Sequence, residues 1–189
     1  MKKTIYFAVY LMALGSFVTL VAWFGYNFTA PIIEENKNIR IATNIALLYS
    51  PDDGYTKNDD QEYNKYRQLS REYSDVINDI YEVLDSNGDI YVVIYNVTTQ
   101  GRNGPVSALI AINPYTDTVV DVTYYAHTET PNLGERYTRD EEIENLLGQT
   151  IGNVEVDVIA GASTTWVAVN AMFERIYIHY NAEGVHIDG

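Results

Sequence analysis

The sequence predicts an α+β domain, an antiparallel sheet flanked by helices, preceded by a single N-terminal transmembrane helix. Three observations carry this. Residues 5–28 form an uncharged apolar run. Three β-rich segments follow one another across short turns in the second half of the chain. Segments with helical spacing of apolar residues lie on both sides of them.

The apolar run extends from Ile5 to Phe28. As a helix it reaches about 36 Å at 1.5 Å per residue, enough to cross a hydrocarbon core of about 30 Å. A cleaved signal peptide has a shorter apolar core and an A-x-A-like site; this run ends instead in Tyr26-Asn27-Phe28-Thr29-Ala30-Pro31. An uncleaved anchor over residues 1–30 is therefore expected. Lys2 and Lys3 precede it and Glu34 and Glu35 follow it. By the positive-inside rule the N-terminus stays cytoplasmic and the rest is extracytoplasmic, a single-pass protein of the cell membrane. Trp23, Tyr26 and Phe28 fall where an interfacial aromatic belt belongs.

Composition narrows what the exported part does. Two of the twelve basic residues, Lys2 and Lys3, precede the apolar run, leaving ten against 26 acidic ones. So acidic a surface repels phosphate backbones, which argues against a nucleic-acid partner. The chain has no cysteine, which excludes thiolate-held clusters, cysteine nucleophiles and disulfides. The segment from Ile32 to Tyr49 reads as a helix leaving the membrane, and residues 51–60 as a polar loop. Glu62 to Leu84 places Tyr66, Leu69, Tyr73, Val76, Ile77, Ile80 and Leu84 at helical spacing, an expected amphipathic helix. Residues 31–88 are thus expected to be a juxtamembrane helical region with an acidic loop, and 89–189 the α+β domain.

Within that domain, Ile90–Thr98, Val106–Ile112 and Thr118–Ala126 are rich in β-branched residues and tyrosine. The turns Gly101–Pro105 and Asn113–Asp117 are short enough only for antiparallel neighbours. A short helix is expected over Arg139–Leu147, ended by Gly148, and a fourth strand over Asn153–Ile159. The last helix is expected over Thr164–Tyr180, with Val169, Met172, Phe173, Ile176, Tyr177 and Tyr180 on one face.

Two motifs stand out. Asp157-Val158-Ile159-Ala160-Gly161-Ala162-Ser163-Thr164-Thr165 lies where the expected fourth strand meets the last helix. Gly161 permits a turn closed to other residues. Ser163, Thr164 and Thr165 then put three hydroxyls at a helix start, where free N–H groups favour an anion. The competing reading makes Ser163 or Thr164 an ordinary N-cap. The second motif, His127-Thr128-Glu129-Thr130-Pro131-Asn132-Leu133-Gly134-Glu135, is a shaped loop against which a flat aromatic ligand could lie; alone it also reads as a surface connection. His127 beside it is a candidate ring contact or a packing residue, and His179 and His186 lie far off in sequence. Asp85-Ser86-Asn87-Gly88-Asp89 begins like a calcium loop, but Ile90 and Asn96 stand where glycine and glutamate are needed, so it reads as a turn.

Together, and behind an anchor ending in Thr29-Ala30-Pro31-Ile32-Ile33-Glu34-Glu35, these motifs resemble the FMN-binding domain found in Rnf-type ion-translocating electron transport complexes. They are also similar to the corresponding domain of sodium-translocating NADH:quinone oxidoreductases. That family shows a loop E-T-P-G-L-G followed by D-x-x-[ST]-G-A-[TS]-x-T. The counterparts here are Glu129, Thr130, Pro131, Asn132, Leu133 and Gly134, then Asp157 through Gly161, Ala162, Ser163, Thr164 and Thr165. The resemblance implies FMN joined by a phosphoester to the hydroxyl after the Gly-Ala pair, Ser163, by a flavin transferase that consumes FAD. It implies an electron-carrying subunit among other membrane subunits of a redox complex, not an independent enzyme. Three departures stand out: Ser163 for the usual threonine, Ala160 for a serine or threonine, and Asn132 for a glycine. A stand-alone anchored flavoprotein and an exported module without flavin are the alternatives.

Overall fold

In the computed structural model, residues 2–48, 64–65, 75–84 and 87–188 are described. The chain divides into two compact units, residues 1–43 and 44–189. In the first, α1 (Lys2–Leu48) is one continuous helix with Pro31 inside it. Its apolar stretch Lys3–Ile33 has a mean hydropathy of 2.0 and none of it is buried within the protein. At 1.5 Å per residue those 31 residues span about 46 Å, compatible with a single-pass anchor that has length to spare for tilt. Side chains back-bond inside it, Thr19 Oγ1 to Gly15 O and Thr29 Oγ1 to Gly25 O, both at 2.9 Å, which satisfies those hydroxyls within the helix.

The second unit is α+β. Among the described residues, five strands form an antiparallel sheet in chain order: β1 (Asn64–Lys65), β2 (Ile77–Leu84), β3 (Ile90–Gln100), β4 (Pro105–Asn113) and β5 (Thr118–Ala126). The meander expected over residues 90–126 is present, with Thr98 opposite Ser107 and Ala111 opposite Asp121. β3 and β4 are buried on both faces, so they read as nearly unbroken apolar runs.

The amphipathic helix expected over Glu62–Leu84 is not formed where the chain is described. Residues 64–65 and 77–84 are strands, and the remainder of the stretch up to residue 74 lies outside the described residues, as do 51–60. The reason is a register shift at Ile77/Asp79, which turns Ile77 and Ile80 toward one core although they lie three residues apart. Ile80 to Val83 pair in regular register, so Val83, also buried, faces the other side of the sheet. That spacing of three imitates a helical stripe.

α2 (Asp140–Glu144) follows a 3₁₀ turn at Gly134–Thr138. α3 (Ser163–Glu183) covers one face of the sheet. It inserts Val169, Met172, Phe173, Ile176 and Tyr180 into a core with Tyr95 and Val97 of β3 and Ala108, Ile110 and Ile112 of β4. Complete burial of a side chain such as Met172 or Ile176 contributes about 1.5–3 kcal/mol. Tyr177, expected on this face, is 40% exposed and lies against Gly152, where a Cβ would come within 2.6 Å of its ring. His179 is buried in its place, with Nδ1 3.2 Å from Tyr95 OH. Gly184, at φ 61°, ends the helix in a left-handed cap.

The fourth strand expected over Asn153–Ile159 is also absent. Residues 154–159 carry no regular secondary structure, with Val154 extended, and pair with none of the described strands. Side chains take up their backbone groups instead. Gln149 Oε1 accepts from Glu155 N–H at 2.7 Å and Trp166 Nε1–H donates to Val156 O at 2.9 Å. Tyr137 OH donates to Asp157 O and accepts from Ile159 N–H, both at 3.0 Å. Polar backbone must be satisfied somewhere; here a clasp of three side chains replaces a ladder.

Candidate functional site

The site grows from the hairpin between β3 and β4. Gly101 N–H closes it on Gly104 O at 2.9 Å. Asn103 at its tip binds the loop that leaves β5: its Nδ2 donates to Thr130 Oγ1 at 2.8 Å and its carbonyl accepts from Thr128 Oγ1 at 3.1 Å. The loop turns on Thr130 O, which accepts from Leu133 N–H at 3.1 Å and Glu135 N–H at 3.2 Å. Asn132 sits at φ 60°, the left-handed region. Asparagine is the side chain best suited there after glycine, which accounts for the departure from the E-T-P-G pattern. Its amide oxygen accepts from Arg139 Nη2 at 2.6 Å, and its N–H donates to Glu135 Oε2 at 3.0 Å.

Glu129 points inward, 6% exposed. Its Oε2 accepts from Thr165 Oγ1–H at 2.7 Å and its Oε1 from Asn103 N–H at 3.3 Å. Two glycines make room for it. A Cβ at Gly101 or at Gly134 would overlap the Glu129 carboxylate, and at Gly134 would also stand 2.6 Å from Thr165 Oγ1.

The turn before α3 completes the arrangement. Ala162 N–H donates to Ile159 O at 3.0 Å, and Gly161 adopts φ 84°. A side chain at Gly161 would meet Leu133 at 3.1 Å, so the two motifs touch here as well. The position before the helix is Ala162, which has no capping side chain. Ser163 is the first helical residue, not the N-cap. Ser163 and Thr164 are exposed, while Thr165 is buried at 2% and engaged with Glu129. The first N–H groups of α3 have no acceptor within the helix, and no acidic residue occupies its first turn.

Glu129, Gly134 and Thr165 are thus in direct contact, and Leu133 meets Gly161. Thr130 and Pro131 are on the surface. Asp157 contributes its backbone carbonyl to the clasp and keeps its carboxylate exposed. Sequence reasoning missed Gly101 and Asn103, which read only as a turn, and Tyr137 and Trp166, for which the sequence offers no signal. At the same end of the sheet, among the described residues, three buried side-chain atoms lack a hydrogen-bond partner: Thr99 Oγ1, Tyr124 OH and His127 Nδ1. Burial, with Tyr137 nearby, pushes the Tyr124 phenol well above its usual range, and burial raises Tyr137 too.

Residues 101–177 match the family model of the FMN-binding domain. The matched span contains every residue of the site, from Gly101 to Thr165. No curated protein matches the chain. Among solved structures, the crystal structure of Shewanella oneidensis NqrC is similar at 23% identity, covering 51% of this chain and 53% of that one with a TM-score of 0.45. The chain therefore spans about half the length of that structure. An FMN phosphate fits what these residues offer: an open hydroxyl, the first N–H groups of a helix and a loop hydrogen-bonded beside them.

Proposed function

We propose that this protein is an electron-carrying subunit of a membrane redox complex, with FMN esterified to Ser163 on the extracytoplasmic side. One observation carries the reading. The exposed Ser163 hydroxyl opens α3, and the Glu-Thr-Pro loop is bound to that same helix turn through Glu129 and Thr165. In the modification, Ser163 Oγ attacks the FMN phosphorus of FAD on a flavin transferase. A phosphoester bond forms, the bond to AMP breaks, AMP leaves, and the hydroxyl proton passes to a base of the transferase. No electrons are exchanged in that step.

Once bound, isoalloxazine supplies one- and two-electron chemistry. The chain's own residues do the rest. The first N–H groups of α3 would hold the phosphate, and Leu133, Pro131 and Thr130 would offer a surface to the ring. Asp157, Gly161 and Ala162 shape the turn, and Thr164 neighbours the ester. α1 holds the domain at the membrane, with Lys2 and Lys3 on the cytoplasmic side. Covalency suits this setting, because a dissociating flavin would be lost wherever its concentration falls below its dissociation constant. The departure at Ala160 is at an exposed position.

Co-expression with a flavin transferase tests the reading. A denatured gel band that fluoresces, with the mass of FMN less water added to the chain and lost in Ser163→Ala, is the expected result. An unlabelled wild-type chain would show an exported module without flavin, and FMN on Thr164 would move the attachment point by one residue.

A further inference from the structure

We infer that Glu129 is a positioning residue and not a contact of the cofactor: its carboxylate locks the first turn of α3 to the Gly101–Gly104 hairpin and thereby orients the Ser163 hydroxyl for flavin transfer. The inference rests on Ser163 being the attachment point. Both carboxylate oxygens are engaged inside the protein, one by Thr165 Oγ1–H at 2.7 Å and one by Asn103 N–H at 3.3 Å. The side chain is 6% exposed, which leaves it no face toward a ligand at the surface. Gly101 and Gly134 close around it so tightly that neither position admits a Cβ.

The lock fills a gap in α3. Its N-cap, Ala162, carries no capping group, and its first turn carries no acid. Glu129 brings a hydrogen-bond acceptor to that turn from another part of the chain, through Thr165 Oγ1. Thr165 lies two residues beyond Ser163 in the same turn, so fixing its side chain fixes the backbone that presents Ser163 Oγ. The same bond withdraws the Thr165 hydroxyl from modification, leaving only Ser163 and Thr164 open. Misplacing a reacting group by about 1 Å costs on the order of a hundredfold in rate.

The test measures transfer from FAD to the purified full-length chain in detergent by a flavin transferase, as covalent flavin fluorescence against acceptor concentration. Thr165→Val keeps the shape and removes the donor; Thr165→Ser restores it; Glu129→Gln replaces the carboxylate. In Thr165→Val and Glu129→Gln the limiting rate at saturating acceptor is expected to fall about tenfold or more, with acceptor KM unchanged. Thr165→Ser should recover the wild-type limiting rate. A role in stability alone would raise the acceptor KM and leave the limiting rate intact. That result, or a Thr165→Val loss that Thr165→Ser does not restore, overturns the inference. Amide exchange of Asn103 gives a readout that needs no flavin: it should quicken in Thr165→Val, and an unchanged rate also overturns the lock. If Ser163→Ala is labelled at the wild-type rate, the attachment reading fails instead.

Discussion

Tyr137→Phe isolates the clasp on which the approach to α3 depends. The phenol of Tyr137 is 3% exposed as a residue and serves two backbone groups, Asp157 O and Ile159 N–H, each at 3.0 Å. Removing one hydroxyl oxygen breaks both bonds. The bond to the half-buried Asp157 carbonyl is worth about 0.5–1.5 kcal/mol net. Ile159 is 5% exposed, so its N–H is left buried and unsatisfied, which costs about 1–3 kcal/mol. The two combine to about 2–3 kcal/mol of lost stability, since relaxation of an extended segment recovers part of the sum. With a urea m-value of about 1–3 kcal/mol per molar, the midpoint should drop by about 1 M. Trp166 reports the transition by fluorescence, because its indole N–H donates to Val156 O in the same segment. Tyr177→Phe, at a 40% exposed ring, is the control and should leave the midpoint unchanged. A shift below about 0.3 M in Tyr137→Phe at constant m would refute the claim that side chains hold residues 154–159 in place of a neighbouring strand.

Gly134→Ala forces a methyl onto the Glu129 carboxylate and Thr165 Oγ1, and overpacking of this kind costs about 1–3 kcal/mol, read as a lower urea midpoint. Gly161→Ala puts a Cβ on a residue at φ 84° and 3.1 Å from Leu133, with an expected loss of about 1–2 kcal/mol and slower flavin labelling. The C-terminal tail should be pH-sensitive. His186 Nδ1 lies 2.7 Å from Asp117 Oδ1, which also accepts from Tyr180 OH at 2.6 Å. The bond to Asp117 raises His186 above its ordinary 6.5, so its contribution is whole below 6.5 and is lost as pH climbs through the raised value. Burial raises Asp117, but the bonds from Tyr180 and His186 outweigh it and hold the carboxyl below its ordinary 3.8; that share is present above 3.8 and lost as pH falls through the lowered value. The tail is therefore tied most firmly between 3.8 and 6.5, and an NMR titration of His186 should give a midpoint above 6.5 that returns toward it in Asp117→Asn.

Much of this molecule was legible locally. An uncharged apolar run of sufficient length forms a long helix compatible with a single-pass anchor. Short turns between β-branched segments leave no option but antiparallel pairing, and the period of Val169, Met172, Phe173 and Ile176 places α3 on the sheet. The chemistry of the Gly-Ala turn and the Glu-Thr-Pro loop was visible as residue types. What failed was any inference that needed the identity of a hydrogen-bond partner. A bulge at Ile77/Asp79 and burial on both faces of β2 gave Ile77, Ile80 and Val83 a helical spacing, and only the pairing with β3 distinguishes strand from helix. Alternation over residues 153–159 suggested a fourth strand, but Asn153 closes a 3₁₀ turn and Gln149, Tyr137 and Trp166 take up the backbone groups of 154–159 in place of a partner strand.

The same division runs through the site. That a hydroxyl cluster follows a glycine turn and that a carboxylate sits in the preceding loop are properties of composition and order. That Glu129 faces inward, that Thr165 is engaged by it and that Ser163 stays open follow from the folded arrangement alone. Burial and hydrogen bonding are set by groups 26 and 36 residues away along the chain, and no local period encodes contacts at that range.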